Sequence, residues 1–399
     1  MTPHSPSAPI AGRLPELDAL RGIAALLVLI QHARVMGLDP RPFDSPLLEK
    51  GVHMLIHFSP FRVLEYGRGA VMFFFVLSGY VLTRALMHNG SPGLLAFAAQ
   101  RSIRLLLPVA ASVLLSAGLF AVLLGDAALL PAELRGRTID TWHVAPGFGD
   151  ILRESALLRT ASDPVQLNPV LWSLVHEWRL TLLLPLALLF RGRIGALLAL
   201  GCIGMALGAM VTGAENRVQL GLHFRTTLMA SVYFSLAIAS GAALALWGSL
   251  PQLTRDQRLV GAAACLSLFS MASDIGVYVA SVLLIVLAQQ PGAFRRFLRC
   301  APLVWLGQVS YSLYLVHVPV LVTSMVLLHE ALPVPACLVA GIVAALAAAK
   351  VLHWLAEVPA RDLARCVERR LRAPQSRGSV PGHELKPQPL PAAEGGALQ

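Results

Sequence analysis

Apolar stretches of about 20 residues recur along this chain, and a bilayer core of about 30 Å needs about that length of helix. Hydrophobic residues make up 56% of the 399 residues and charged residues only 14%, more apolar surface than a soluble fold could bury. The sequence therefore predicts an all-α, polytopic integral membrane protein with about ten transmembrane helices. The predicted spans cover residues 19–38, 69–88, 104–125, 170–190, 194–212, 227–247, 258–273, 275–290, 303–327 and 334–356.

Arginine residues are concentrated in alternate loops, and this pattern indicates the topology. These loops contain almost no acidic residues, so the positive-inside rule predicts that they and both chain termini are cytoplasmic. The basic loop residues are Arg84, Arg101 and Arg104; Arg191 and Arg193; Arg255 and Arg258; and Arg295, Arg296 and Arg299. The net charge of +10 is thus explained by orientation in a membrane, and no nucleic-acid partner is expected.

The chain divides into three segments by composition. Residues 1–13 are rich in proline and serine and are expected to be disordered. Residues 14–361 form the predicted transmembrane domain, with an extracytoplasmic loop at about 126–168 that is large enough to cover a site. Residues 362–399 form a basic and then disordered cytoplasmic tail. The five cysteines show no paired spacing, so neither a disulfide framework nor a metal site is expected.

Two ionisable residues stand in the first span, Arg21 near its start and His32 well inside. Their separation of eleven residues puts them on nearly one helical face, about 16 Å apart along the axis. Glu177 in the fourth span and His317 in the ninth fall at a depth similar to that of His32. Ionisable residues inside a membrane are costly, so three in one layer predict a shared polar site.

His32 is the candidate general base of this site, because an imidazole titrates near neutrality and can take a proton from an attacking hydroxyl. Glu177 could hold the other ring nitrogen, as the acid of a catalytic triad does. Two structural alternatives remain open. His32 could simply bond a carbonyl of a neighbouring helix, and Glu177 could pair with Arg179 or with a residue of another helix.

Arg101 and Arg104 lie one helical turn apart on one face, where they could clamp a phosphate. The alternative is that they only set orientation, as arginines at inner helix ends commonly do. A polar stripe in the ninth span, Tyr314 and His317 with Tyr311 beside them, and the pair Trp172 and Ser173 in the fourth are candidate substrate contacts. Ordinary hydrogen bonding between helices is the alternative for the stripe.

Six sequence motifs in this order resemble the bacterial membrane-bound acyltransferase family 3. They are LDALRGIAALLVLIQHA, which contains Arg21 and His32; FFFVLSGYVLTR; RSIR; LWSLVHE; LGQVSYSLYLVHVPV; and EVPAR. The resemblance covers roughly residues 14–361. It implies a multi-pass enzyme of the bacterial inner membrane that transfers an acyl group, commonly acetyl from acetyl-CoA, to a hydroxyl of a glycan or glycolipid.

The resemblance also assigns roles to residues. His32 and Arg21 would be catalytic, Glu177 a further essential residue, and Arg101 and Arg104 contacts of the acyl-CoA donor. No tightly bound cofactor is implied, and the partners would be acyl-CoA, the carbohydrate or glycolipid acceptor, membrane lipid and, as one option, a second copy of the chain. The tail after Arg361 is too short for the extracytoplasmic hydrolase-like domain of some members, which predicts a one-component enzyme.

One departure from the family pattern leaves the acceptor open. Many members follow the LWSL-x-x-E motif with Phe-Tyr, whereas Glu177 is followed here by Trp178, Arg179 and Leu180. Two further functional readings also stay open: a transporter or flippase for a glycan or small acid that uses the same buried polar layer, and a non-catalytic membrane scaffold.

Overall fold

A computed structural model of the chain describes residues 14–38, 67–89, 93–125, 130–131, 134, 136–139, 141–213, 220–221, 223–271 and 273–371. The predicted disordered segments 1–13 and 373–399 lie outside these residues. All regular secondary structure within the described ranges is helical, which confirms the all-α class. The helices are α1 Pro15–Ala33, α2 Gly67–Asn89, α3 Leu94–Leu123, α4 Phe148–Ser155, α5 Leu171–Leu182, α6 Ile194–Thr212, α7 Phe224–Tyr233, α8 Ser235–Trp247, α9 Arg255–Ser270, α10 Asp274–Ala288, α11 Ala293–Leu298, α12 Ala301–Leu328, α13 Val334–Leu352 and α14 Val358–Leu371.

Seven helical stretches in the described ranges are long and apolar enough to cross a membrane. An eighth results if α5 and the 3₁₀ segment Leu184–Phe190 that follows it are counted as one bent span. Helices α9 and α10, with 16 and 15 residues, match the predicted seventh and eighth spans. They extend only about 24 and 22 Å at the helical rise, less than a bilayer core of about 30 Å. The polytopic membrane class is thus confirmed, whereas the count of ten and the cytoplasmic termini stay predictions.

One predicted span boundary is wrong, and another predicted span is bent. Helix α3 begins at Leu94 rather than residue 104, because the apolar run before Arg101 is already helical. Arg101 and Arg104 therefore lie about 10 and 15 Å along this helix rather than at its mouth. The predicted fourth span, 170–190, bends by 47° after Leu182. Pro185 explains the break, since proline lacks the backbone N–H and disfavours helical geometry in the residue before it.

Pairs of glycines allow the central helices to touch. A Cβ atom on Gly22 of α1 would lie 2.6 Å from the backbone N of Gly307 of α12, and one on Gly307 would lie 2.2 Å from the carbonyl O of Asp18. Small residues at such crossings let membrane helices approach closely. His32 follows Gly22 by ten residues, and His317 follows Gly307 by ten, so two parallel helices that touch at the glycines bring the histidines to one level.

The loop between α3 and α5 is hydrogen-bonded onto two of these helices. Trp142 donates its indole N–H to Ser116 Oγ at 2.9 Å, and Ser116 donates to the carbonyl of Leu167 at 2.6 Å. Asn168 donates its side-chain N–H to the carbonyl of Leu315 in α12 at 2.7 Å. Leu315 lies two residues before His317, so the loop anchors α12 close to the histidine.

A buried ion pair organises this loop internally. Glu154 of α4 accepts the backbone N–H groups of Leu167 at 3.0 Å and Asn168 at 3.1 Å, and its Oε1 lies 3.2 Å from Nη1 of Arg159. Burial raises the pKa of Glu154 to about 7, while the Arg159 guanidinium and the two N–H groups act in the opposite direction. Both charged side chains are only 3% exposed, so each is needed to offset the cost of burying the charge of the other.

Candidate active site

A cavity of about 350 Å³ opens between α1, α2, α3, α5, α12 and the start of α14 with the turn before it. Its apolar wall is formed by Val71, Phe74, Phe75, Val81, Leu82, Ala85, Leu105 and Leu174. Charged side chains also line it: Arg21, Arg101, Arg104 and Arg361, with Asp18, Glu177 and Glu357. Four guanidinium groups against three carboxylates leave an excess of positive charge beside the apolar wall. Such a cavity suits an anionic ligand with an apolar arm.

Three of the four arginines already have side-chain partners. They are Arg21 with Asp18 at 3.4 Å, Arg101 with Glu177 at 2.6 Å, and Arg361 with the His353 ring at 3.4 Å. Arg104 has neither a hydrogen bond nor an ion pair to any residue that the structure describes, and it is exposed into the cavity. Its charge is therefore available for a ligand.

Glu177 lies on the face of α5 that meets α2 and α3. Its Oε1 accepts from Nη2 of Arg101 at 2.6 Å and from Oγ of Ser78 at 2.8 Å. Arg101 also donates from Nε to Thr181 Oγ1 at 3.1 Å, so the guanidinium is held from two positions on α5. Glu177 thus fixes Arg101 at the cavity wall. The alternative partner Arg179 bonds instead to the carbonyl of Thr227 at 3.2 Å.

His32 meets His317, not Glu177. Its Nδ1 lies 2.8 Å from Nε2 of His317, and the two rings are nearly coplanar, 16° apart with centroids at 5.0 Å. The predicted contact between Glu177 and His32 is wrong, because similar depth in the membrane does not fix the direction in which a side chain points. Arg101 attracts the Glu177 carboxylate to the other side of the cavity.

The histidine pair lies just beyond the cavity. Neither ring is among the described side chains that line it, whereas Tyr314, whose ring centroid is 5.8 Å from that of His317, is. Phe74 packs edge-on against Tyr314 at 6.0 Å. The hydroxyls of Tyr314 and Ser173 lie 2.7 Å apart. Phe74 and Tyr314 therefore form the boundary between the cationic cavity and the histidines.

The other predicted substrate contacts divide between cavity and core. Tyr311 lines the cavity and donates its hydroxyl to the carbonyl of Leu105 at 2.9 Å. Trp172 does not reach the cavity, because its ring packs against Phe234 at 6.1 Å and His176 at 6.2 Å. The structure thus brings Ser173, Tyr311 and Tyr314 to the cavity, and places Trp172 on the opposite side of α5.

Sequence reasoning missed the charged residues that α14 and the turn before it contribute. Glu357 accepts from Ser312 Oγ at 2.8 Å and contacts His353 Nδ1 at 2.9 Å. His353 and Glu357 are the first and last residues of a π-helical turn, a distortion often found at functional sites. The detectable signal was the spacing of His353, Glu357 and Arg361 at every fourth position, which aligns them on one face of a helix.

Fold and site together define a polytopic membrane protein with a cationic cavity next to a pair of hydrogen-bonded histidines. A family model described as an acyltransferase domain matches residues 14–354, and the chain belongs to this acyltransferase family.

This chain matches only part of the length of its curated relatives. The O-acetyltransferase OatA of Staphylococcus aureus strain NCTC 8325 / PS 47 is 25% identical over 340 residues, which is 77% of this chain and 51% of the relative. OatA of strains COL and MRSA252 gives the same values. The chain therefore spans about half the length of these relatives. No solved structure gives a significant match.

Proposed function

We propose that this chain is an O-acyltransferase of the bacterial inner membrane that moves an acetyl group from acetyl-CoA to a hydroxyl of a glycan or glycolipid. The single observation that carries the proposal is the cavity in which Arg104 has no described partner and three further arginines converge. Membership of the acyltransferase family and similarity to relatives named O-acetyltransferases support the reaction class.

The charged and apolar lining of the cavity supports a coenzyme A thioester as the donor. Phosphates of the donor would bind Arg104 and the neighbouring guanidiniums, since arginine forms paired, charge-assisted hydrogen bonds to phosphate oxygens. The apolar wall would receive the arm that carries the acyl group, with the thioester directed towards Phe74 and Tyr314. Glu177 would act through Arg101, as a residue that positions the donor site.

The chemistry would take place at His32. Its imidazole takes the proton from the acceptor hydroxyl while the hydroxyl oxygen attacks the carbonyl carbon of the thioester. A C–O bond forms, the C–S bond breaks, and the proton passes from the imidazolium to the departing thiolate. The products are the O-acetyl ester and the free thiol of coenzyme A. Arg21, on the same helix, would stabilise negative charge of the donor.

The arginine-rich loops indicate from which side of the membrane each substrate would arrive. The donor would enter from the cytoplasm, where the positive-inside rule places the arginines. The acceptor would approach His32 from the opposite side, beneath the loop that α4 and Asn168 organise. This arrangement gives each substrate its own route to the histidine pair.

The proposal is tested with purified protein in lipid nanodiscs, acetyl-CoA labelled in its acetyl group, and a glycan acceptor. We expect transfer of the label to the acceptor, and loss of transfer in His32→Gln with donor binding retained. His329→Gln is a matched control, because His329 directly follows α12 and its ring bonds, among the residues that the structure describes, only the carbonyl of Val326. Undiminished transfer in His32→Gln would refute the assignment. A transporter would move its substrate and leave the label on coenzyme A.

A further inference from the structure

The contacts of His317 determine which of its ring nitrogens carries a proton. Nδ1 lies 2.9 Å from the carbonyl oxygen of Tyr314 and 3.2 Å from that of Leu313. Carbonyl oxygens only accept hydrogen bonds, so Nδ1 must be the donor. In a neutral imidazole the other nitrogen then carries a lone pair. Nε2 of His317 is therefore an acceptor.

This acceptor determines the tautomer of His32 in turn. Nε2 of His317 lies 2.8 Å from Nδ1 of His32, which must supply the proton of that hydrogen bond. Neutral His32 therefore carries its hydrogen on Nδ1, and its Nε2 keeps a free lone pair. Only that nitrogen can then accept a proton from a substrate.

We propose that His317 is a positioning residue, which fixes His32 in the tautomer and ring orientation that a general base needs. This inference rests on the proposed function of His32 and replaces the substrate contact that the sequence indicated for His317. In a catalytic triad a carboxylate fills the corresponding place. Here the place is filled by a neutral ring, itself held by carbonyls of its own helix.

The surrounding structure restrains the His317 ring in this role. The side chain is fully buried, and the contact of Gly22 with Gly307 sets the register of α1 against α12 ten residues earlier. The bond from Asn168 to the carbonyl of Leu315 holds the adjoining turn of α12. Both restraints act on the backbone, so the hydrogen bond between the rings needs little reorganisation when a substrate arrives.

Substitutions at position 317 test the proposal. The amide oxygen of glutamine reaches about as far as Nε2 of histidine and can accept the His32 proton, whereas alanine leaves it without an acceptor. We expect His317→Ala to lower kcat by about 10²- to 10⁴-fold, the range seen when groups that orient a functional histidine are lost. The KM for acetyl-CoA should stay unchanged. His317→Gln should recover most of the lost kcat.

A spectroscopic measurement separates this role from packing. In protein with ¹⁵N-labelled histidine, NMR shifts should show His32 protonated on Nδ1 in the wild type and in His317→Gln, and a mixture of tautomers in His317→Ala. The spectrum of the wild type tests the proposal even where His317→Ala does not fold. A wild-type His32 protonated on Nε2, an unchanged kcat in His317→Ala, or a loss that appears in KM would overturn the proposal. Transfer that survives His32→Gln would instead refute the proposed function and leave the tautomer assignment standing.

Discussion

Arg104 allows the proposed donor site to be tested without disturbing the fold. Replacing it with methionine keeps much of the side-chain volume and removes the one cavity guanidinium that has no partner among the described residues. Arg101 lies three residues earlier on α3 and is held by Glu177. The two substitutions remove the same charge from one helical face, but only Arg101→Met breaks an ion pair within the protein.

The expected loss of donor affinity follows from the environment of Arg104. A hydrogen bond to a charged group contributes about 1.5–3 kcal/mol. Because Arg104 is exposed into the cavity, where solvent screens its charge, we expect the lower part of this range, about 1.5–2 kcal/mol. At 1.4 kcal/mol per factor of ten, this is a rise in Kd of about 10- to 30-fold. The Tm should stay level or rise slightly, because no bond within the described protein is lost and like-charge repulsion from Arg101 falls.

Equilibrium binding of acetyl-CoA and of its 3′-dephospho analogue to nanodisc-embedded protein measures this effect. A contact between Arg104 and the 3′-phosphate would make the loss smaller for the analogue, whereas a contact with the pyrophosphate would make the two losses equal. Arg193→Met, an exposed arginine before α6, controls for the change in net charge and should leave both affinities unaltered. An unchanged Kd in Arg104→Met, or an equal loss in Arg193→Met, would refute the assignment of Arg104 to the donor site.

Substitutions in the ion pairs Arg101–Glu177 and Arg159–Glu154 test kinetics and stability, respectively. Glu177→Gln should raise the KM for acetyl-CoA by about tenfold and change kcat much less, because it frees Arg101 rather than His32. A fall in kcat alone in steady-state kinetics would contradict this prediction. In the loop, Glu154→Gln should destabilise the protein by about 3–5 kcal/mol, since the buried Arg159 guanidinium cannot lose its charge. Arg159→Met should destabilise the protein less than Glu154→Gln does, because burial already raises the pKa of Glu154 to about 7 and the carboxyl can become neutral without Arg159. Equal losses of stability in thermal unfolding would contradict this prediction.

Sequence patterns predicted the helical class and most residues of the candidate site, because these patterns report how deep a residue lies along a membrane helix. Apolar length identifies spans, and ionisable residues within them identify His32, Glu177 and His317, because both signals follow from the cost of placing charge in lipid. The same patterns do not show which helices are neighbours. Glu177 was therefore assigned to His32, although α5 turns it towards Ser78 and Arg101.

Other features were missed because their sequence signals have common structural explanations. Glu357 and Arg361 read as charges at the end of the last span, and their place in the cavity depends on the π-helical turn that precedes α14. Ser78 precedes Gly79, and small residues in a span usually indicate helix packing. Gly79 does pack in this way, since a Cβ there would lie 2.3 Å from the carbonyl oxygen of Ile238. One turn of helix thus serves both packing and the site, which no single-residue signal distinguishes.

The separation of the arginines from the histidines has a chemical consequence. A guanidinium beside His32 would oppose the positive charge that the imidazole acquires when it takes a proton, and would make it a weaker base. Phe74 and Tyr314 keep the cationic cavity apart from the ring, while His317 orients it without adding a charge. In the proposed reaction the donor would therefore be held by charge in the cavity, apart from the imidazole that takes the proton. The contact of Gly22 with Gly307 sets the register of α1, which carries Arg21 and His32, against α12, which carries Tyr314 and His317.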